Sequence, residues 1–208
     1  MKIVSISDTH MSHDEITVPP GDILIHAGDA TGMGTLKEVL GFRSWFAAQP
    51  HKHKIFVAGN HDFLFQDTPE LGRELMANAG IIYLEDSSVT IEGLTVYGSP
   101  WQPEFGGWAF NLPRGYKLRA KWAMIPEKVD VLVTHGPPHG ILDMTPDGRR
   151  VGCADLLYRL GTLSPRLHVF GHIHRSYGQL TQAGTHFVNA SICNENNWAE
   201  NRPVVVEL

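Results

Sequence analysis

Five short apolar runs, at residues 3–6, 23–25, 55–57, 131–133 and 167–170, recur along this chain, and each gives way within a few residues to a polar cluster. Runs this short, rich in Ile, Val and Leu and without polar alternation, read as strands buried on both faces. Between them lie stretches of helical period. Residues 35–49 place Leu36, Val39, Leu40, Trp45 and Phe46 roughly at helical spacing, and Pro50 supplies a stop. Further helices are expected over 69–78, where Pro69 follows Thr68 in capping order, and over 114–124 and 153–160. Residues 81–84, 89–91, 94–97 and 204–206 read as shorter strands. Glu92 with Gly93, and Ala183 with Gly184, read as hairpin turns, the latter joining strands over 178–181 and 185–188. Helix-linked and hairpin-linked strands together predict an α/β fold: two mixed β-sheets packed face to face as a sandwich, flanked by α-helices. At 208 residues and 42% hydrophobic content, one domain over residues 1–208 is expected.

Composition narrows the function classes. A net charge of -5 and the lack of a dense Lys/Arg cluster argue against nucleic-acid binding, because phosphate backbones are held by clustered cations. Cys153 and Cys193 are far apart and in no metal-knuckle spacing, so both are expected as reduced, partly buried thiols. Met1 leads straight into a strand with no signal-like segment, and no apolar stretch approaches a membrane span. A cytoplasmic protein with no membrane partner is the resulting expectation.

The polar clusters carry the chemistry. Histidine is abundant, at 12 residues, and imidazole is the commonest metal ligand and near-neutral acid or base. Asp8 and His10 are two apart, so on a strand continuing past Ile6 both would point the same way and could grip one cation. Gly28-Asp29 offers close backbone approach and a carboxylate able to bridge two ions. In Gly59-Asn60-His61-Asp62, the amide oxygen of Asn60 could complete a cation's shell while His61 faces substrate. Asp62 would cap the next segment or orient His61. His135 ends a strand before Gly136-Pro137-Pro138, and His172 and His174 are spaced to serve two adjacent ions. Taken singly, these clusters also read as loop polarity, a Gly-Asp turn, a satisfied core histidine or a chance His-x-His pair. Their occurrence in order at five strand ends favours a shared site. His26, His51, His53, His139, His168 and His186 fit no chemical spacing and are read as structural or surface residues.

Asp-x-His, Gly-Asp, Gly-Asn-His-Asp, a lone His before Gly-Pro-Pro, and Gly-His-x-His together resemble the calcineurin-like metallophosphoesterase superfamily. Gly98-Ser99-Pro100-Trp101, Asn111 to Gly115, Gly136-Pro137-Pro138 and Val151-Gly152-Cys153 resemble, more particularly, the metallophosphoesterase-domain (MPPED) group of class III-type phosphodiesterases. The resemblance implies two divalent metal ions. Asp8, His10 and His174 would hold one, Asn60, His135 and His172 the other, and Asp29 would bridge them. Some animal members have glycine where this chain has His172 and are weak enzymes, so its retention implies firmer metal loading. An oxygen and nitrogen shell without thiolate suits Mn, Fe, Zn or Co, with Mn the leading expectation.

The implied reaction is hydrolysis of a small phosphoester, a phosphodiester first and cyclic nucleotides among the candidates, by a hydroxide generated between two cations about 3.5–4 Å apart. Asn60 and His61 would contact substrate, and His61 would be the catalytic acid or charge stabiliser. A phosphomonoesterase or pyrophosphatase, or a non-turning-over nucleotide- or protein-binding module, are the alternatives. Trp101, Phe105, Trp108 and Phe110 could wall a pocket, pack internally or form a homodimer contact.

Overall fold

The apolar runs all become strands whose alternate side chains enter two different cores. A computed structural model describes residues 1–208. In chain order the elements are β1 (Lys2–Ile6), β2 (Ile23–His26), α1 (Leu36–Ala47), β3 (His53–Phe56), α2 (Phe63–Asp67), α3 (Pro69–Ala77), β4 (Ile82–Tyr83), β5 (Ser87–Ile91), β6 (Leu94–Ser99), β7 (Gln102–Pro103) and β8 (Asn111–Leu112). Then come α4 (Tyr116–Trp122), β9 (Val131–Thr134), α5 (Ala154–Leu160), β10 (Leu167–Phe170), β11 (Gly178–Gln182), β12 (Thr185–Asn189) and β13 (Val204–Glu207).

One sheet has the order β13-β1-β2-β3-β4 and the other β11-β12-β10-β9-β6-β5, with β7 and β8 forming a small pair. The strands β1 to β4 run parallel, as do β6, β9, β10 and β12, and the antiparallel strands β13, β5 and β11 lie at sheet edges. Ile3, Ile23, Ile25 and Ile55 from the first sheet meet Val131, Val133, Leu167 and Val169 from the second in the central core. The intervening residues Val4, Leu24 and Phe56 face outward onto Val39, Phe42 and Phe46 of α1. On the far side, Leu132 and Phe170 pack on Leu118 and Trp122 of α4 and Leu156 of α5. Burial on both faces is why these strands read as continuous apolar runs, and each such side chain contributes roughly 1.5–3 kcal/mol.

Local signals hold at most boundaries. Thr35 and Glu38 close a reciprocal capping box at the start of α1. Glu92 (φ 49°) with Gly93 (φ 88°), and Ala183 (φ 49°) with Gly184 (φ 83°), turn β5 into β6 and β11 into β12. Thr68 departs from expectation: its hydroxyl donates to the Leu64 carbonyl, closing the unforeseen helix α2 instead of capping α3. The thiols of Cys153 and Cys193 are free and more deeply buried than expected. No helix is long and apolar enough to cross a membrane.

Parallel order within each sheet puts the polar cluster after every long strand at one edge. There the sheets are joined: Ser7, beyond β1, bridges Ser191, beyond β12, and Ile192 and Cys193 donate backbone hydrogen bonds to Ser7 and Asp8. Ligands in crevices at the carboxyl ends of strands are the rule for such sheets.

Candidate metal centre

All the residues singled out from sequence converge at this edge. Their donor atoms form three overlapping groups, Asp8 with His10 and His174, His10 with Asp29 and His61, and Asp29 with His135 and His172, each within 4.8 Å internally. Asn60 joins the last group, its Oδ1 lying 3.0 Å from His135 Nε2. His10 and Asp29 each belong to two groups, and of the two only Asp29 is a carboxylate with a second oxygen to share between ions.

The backbone that delivers these side chains is not the extended strand the spacing suggested. The strand β1 stops at Ile6, and Asp8 (φ 51°), His10 (φ 41°) and Met11 (φ 72°) are left-handed, as are Asp29 (φ 56°) and His172 (φ 68°). His174 opens a single 3-10 turn, so neither Asp8 with His10 nor His172 with His174 is paired by strand alternation. A left-handed non-glycine residue costs roughly 1–2 kcal/mol and persists only where its surroundings hold it.

Those surroundings are specific. The Asp62 carboxylate, fully buried, accepts from the N–H groups of Asp29 (2.9 Å), Ala30 (3.4 Å), Thr31 (3.0 Å) and Gly59 (2.8 Å) and from the Thr31 hydroxyl (2.7 Å). It therefore ties the Asp29 loop to the Asn60 loop. It makes no capping hydrogen bond to α2 and none to the His61 ring, and burial together with the Asp29 charge pushes its carboxyl up to about 6. Asp8 accepts from the His172 N–H and from the Ser191 hydroxyl at 2.8 Å. Glycines permit this crowding: a Cβ on Gly59 would stand 2.3 Å from Asp29 Oδ1, and one on Gly171 2.0 Å from Asp8 Oδ2.

Backbone carbonyls fix the ring orientations. His135 Nδ1 donates to Ala27 O, His174 Nδ1 to Asn194 O (each 2.9 Å) and His61 Nδ1 to Gly32 O (2.7 Å), because a carbonyl can only accept. In each ring Nε2 is left to face the shared space, and for His135 and His174 it is the nitrogen that a cation would engage on displacing its proton.

Electrostatics fit divalent cations. Asp8 and Asp29 are buried with only histidines as charge partners: Asp8 Oδ1 is 3.4 Å from His174, and Asp29 Oδ2 is 3.3 Å from His135 and 3.9 Å from His10. Burial raises the Asp8 carboxyl, but the hydrogen bond and charge of His174 outweigh it and hold it well below the usual range. Asp29 is lowered likewise through His135. Burial lowers His135 and His174, yet Asp29 and Asp8 respectively drive each up to about 9, while burial takes His172 down to about 3. Two buried carboxylates leaning on imidazoles form a donor set that bound cations would satisfy.

The aromatic segment divides. Phe110 is buried against Trp101, whose indole N–H donates to Asp86, whereas Trp108 lies on His61 and the exposed Phe105 packs against His172 at 5.1 Å between centroids. Beside His172 opens a cleft of about 430 Å³ whose walls include Phe105, Pro137, Arg114 and Arg149. Sequence reasoning missed Ser191, the bracing role of Asp62, and the separate destinations of Phe105 and Trp108. A lone serine after an apolar run gives no local signal, and the others depend on contacts between distant segments.

The sequence profile of the calcineurin-like phosphoesterase family matches residues 1–176. The chain is 45% identical over 232 residues to human metallophosphoesterase domain-containing protein 1, covering 100% of this chain and 71% of that protein, and equally to the mouse form. It is 39% identical over 239 residues to UPF0046 protein T07D4.2 of Caenorhabditis elegans, covering 100% and 60% respectively. The solved structure of TT1561 from Thermus thermophilus aligns with a TM-score of 0.61 at 14% identity, over 90% of this chain and 88% of that one, which speaks to the fold. The chain thus belongs to the calcineurin-like phosphoesterase family of metal-dependent phosphoester hydrolases. Its likeness to the human and mouse proteins puts it in the metallophosphoesterase-domain group.

Proposed function

We propose that the chain is a dinuclear phosphodiesterase of small substrates, cyclic nucleotides among them. Asp8, His10 and His174 would hold one cation, Asn60, His135 and His172 the other, and Asp29 both. Manganese is the metal of choice for assay. The observation that carries the diester reading is the cleft beside His172. A monoester needs only room for its phosphoryl oxygens and one leaving group, whereas a diester must also house a second substituent. The Phe105 ring offers a planar surface there, and Arg114 and Arg149 add positive charge.

Bound cations would supply Lewis acidity toward the phosphoryl oxygens and activate water near neutral pH. The remaining work falls to the chain. Asp62 holds Asp29 and Asn60 in one frame, and the Ala27 and Asn194 carbonyls aim the Nε2 atoms of His135 and His174 inward. His61, steadied by Gly32 and Trp108, presents Nε2 to the substrate; protonated on both nitrogens, the ring would give its Nε2 proton to the departing alkoxide oxygen and keep its Nδ1 proton on Gly32 O.

A Mn-supplemented panel of bis-aryl diester, aryl monoester, cyclic nucleotides and pyrophosphate tests the reading, with Asp29→Ala as control. Preference for diesters is expected. Preference for the monoester or pyrophosphate would reassign specificity, and inactivity with tight nucleotide binding would indicate a binding module.

A further inference from the structure

His26, which no spacing tied to chemistry, sits at the end of β2, fully buried inside a cage of Phe42, Phe46 and Phe56 at centroid distances of 4.9, 6.1 and 5.7 Å. Both ring nitrogens are engaged. The Gly28 N–H donates to Nδ1 at 3.3 Å, so Nδ1 carries the lone pair and the proton sits on Nε2, which donates to the Thr9 hydroxyl at 3.0 Å. Thr9 lies between Asp8 and His10, and Gly28 immediately precedes Asp29. One neutral ring thus joins the two loops that carry Asp8, His10 and Asp29, all three left-handed in φ. Thr9 is itself fully buried, and its hydroxyl has no hydrogen-bond partner besides this ring.

We infer that His26 is a positioning residue for the metal centre, its two nitrogens reinforcing, through Thr9 and Gly28, the backbone hydrogen bonds from Asp8 N–H to Gly28 O (2.8 Å) and from His10 N–H to Asp29 O (3.1 Å) that join the two loops. Burial holds the imidazole neutral, down to about 3, so this hydrogen-bond pattern persists across the working pH range. The ring does not touch substrate or the candidate ligands. Its effect is to keep strained backbone from relaxing away from the geometry the cations require. His168 makes a simpler version of the same contact: its Nε2 meets the hydroxyl of Thr134, next to His135, at 2.9 Å, but its Nδ1 has no partner. Of these two histidines, it is His26 whose two nitrogens reach two ligand loops.

The inference rests on the metal reading of the site and not on the choice of diester. It is tested by manganese titration of the metal-stripped full chain, following free Mn by its paramagnetic resonance signal, in His26→Phe, Thr9→Val, the double variant and His26→Gln. Phenylalanine keeps a ring in the aromatic cage, valine removes only the hydroxyl, and the Gln amide can still reach Thr9. Each single change is expected to weaken metal binding about tenfold. The double variant should be no weaker than the worse single, and Gln should recover part of the loss; because the single changes strand a buried Thr9 hydroxyl, Gly28 N–H or His26 N–H, metal-free melting also falls, and binding is compared at a temperature where every variant is folded. Unchanged affinity in folded variants, or additive losses in the double, would overturn the clamp. If His26→Phe fails to fold, Thr9→Val decides by the same readout. Asp29→Ala is titrated in parallel: if it binds two ions as tightly as the parent chain, the ions do not sit on the assigned ligands, and that placement falls and the clamp with it. Lost binding there beside unchanged His26 variants sinks the clamp alone.

Discussion

The indole of Trp108 lies over the imidazole of His61 with ring centroids 4.1 Å apart and planes inclined by 34°. A second constraint acts on the same ring, the 2.7 Å hydrogen bond from Nδ1 to Gly32 O. Stacked on one face and tethered at one edge, His61 keeps a single usable nitrogen directed at the site. Its edge meets His10, at 4.7 Å between centroids, so it borders the candidate metal ligands while standing outside the set proposed for either ion.

His61→Ala is expected to lower turnover by about 10²- to 10⁴-fold while leaving manganese stoichiometry intact. Single-turnover rates and metal analysis on the same sample check this. Loss of both ions would make His61 part of the metal scaffold.

For Asp29→Ala, hydrolysis should vanish and bound metal should drop to about one ion or fewer, because this carboxylate lies in two of the three donor groups. Retention of activity with two ions would refute the shared position.

Asp62→Ala should cost at least about 3 kcal/mol in denaturant unfolding of the metal-free chain, since it strands four buried N–H groups at roughly 1–3 kcal/mol each. Asp62→Asn keeps one acceptor oxygen and should fall between. A near-neutral Asp62→Ala would show that water replaces the carboxylate.

Phe105→Ala should raise KM for a bulky bis-aryl diester by about tenfold and leave an aryl monoester nearly unaffected, because the ring walls the cleft and not the ion site. Equal effects on both substrates would mean the ring serves only to pack His172.

Metal-free stability should peak near pH 6.5. His135 and His174 are raised to about 9, so the stability they confer is complete below their ordinary 6.5 and is lost as pH climbs through 9. His26, His168 and His172, held near 3 by burial, act oppositely: below 6.5 the unfolded chain takes up protons that the folded chain refuses. Asp62, raised to about 6, offsets part of that acid flank, and the lowered Asp8 and Asp29 reinforce it below about 4. Melting of chelator-treated protein across pH 4–9.5 checks the shape, and a curve rising monotonically to pH 9 would contradict it.

The strands were legible because a strand covered on both faces is mostly apolar, as at Ile23 to Ile25, and the candidate site was legible because Asp, Asn and His follow such runs abruptly. What stayed hidden was non-local. Nothing in the side chains of Asp8 or His172 signals a left-handed backbone, which glycine at those positions would have announced, so the strand-alternation argument brought these side chains together by the wrong local geometry. His26 reads as a polar interruption of an apolar stretch until the fold brings Thr9 and Gly28 to its two nitrogens. Phe105 and Trp108 are three apart yet end on different histidines.

The tight turns at Glu92-Gly93 and Ala183-Gly184 precede strands whose far ends run toward the edge that holds the candidate metal centre, so both turns project from the opposite end of the sandwich. Each is a natural port for a reporter: a fluorophore or a short peptide handle spliced there would ride on the molecule without crowding the entrance through which reactants arrive.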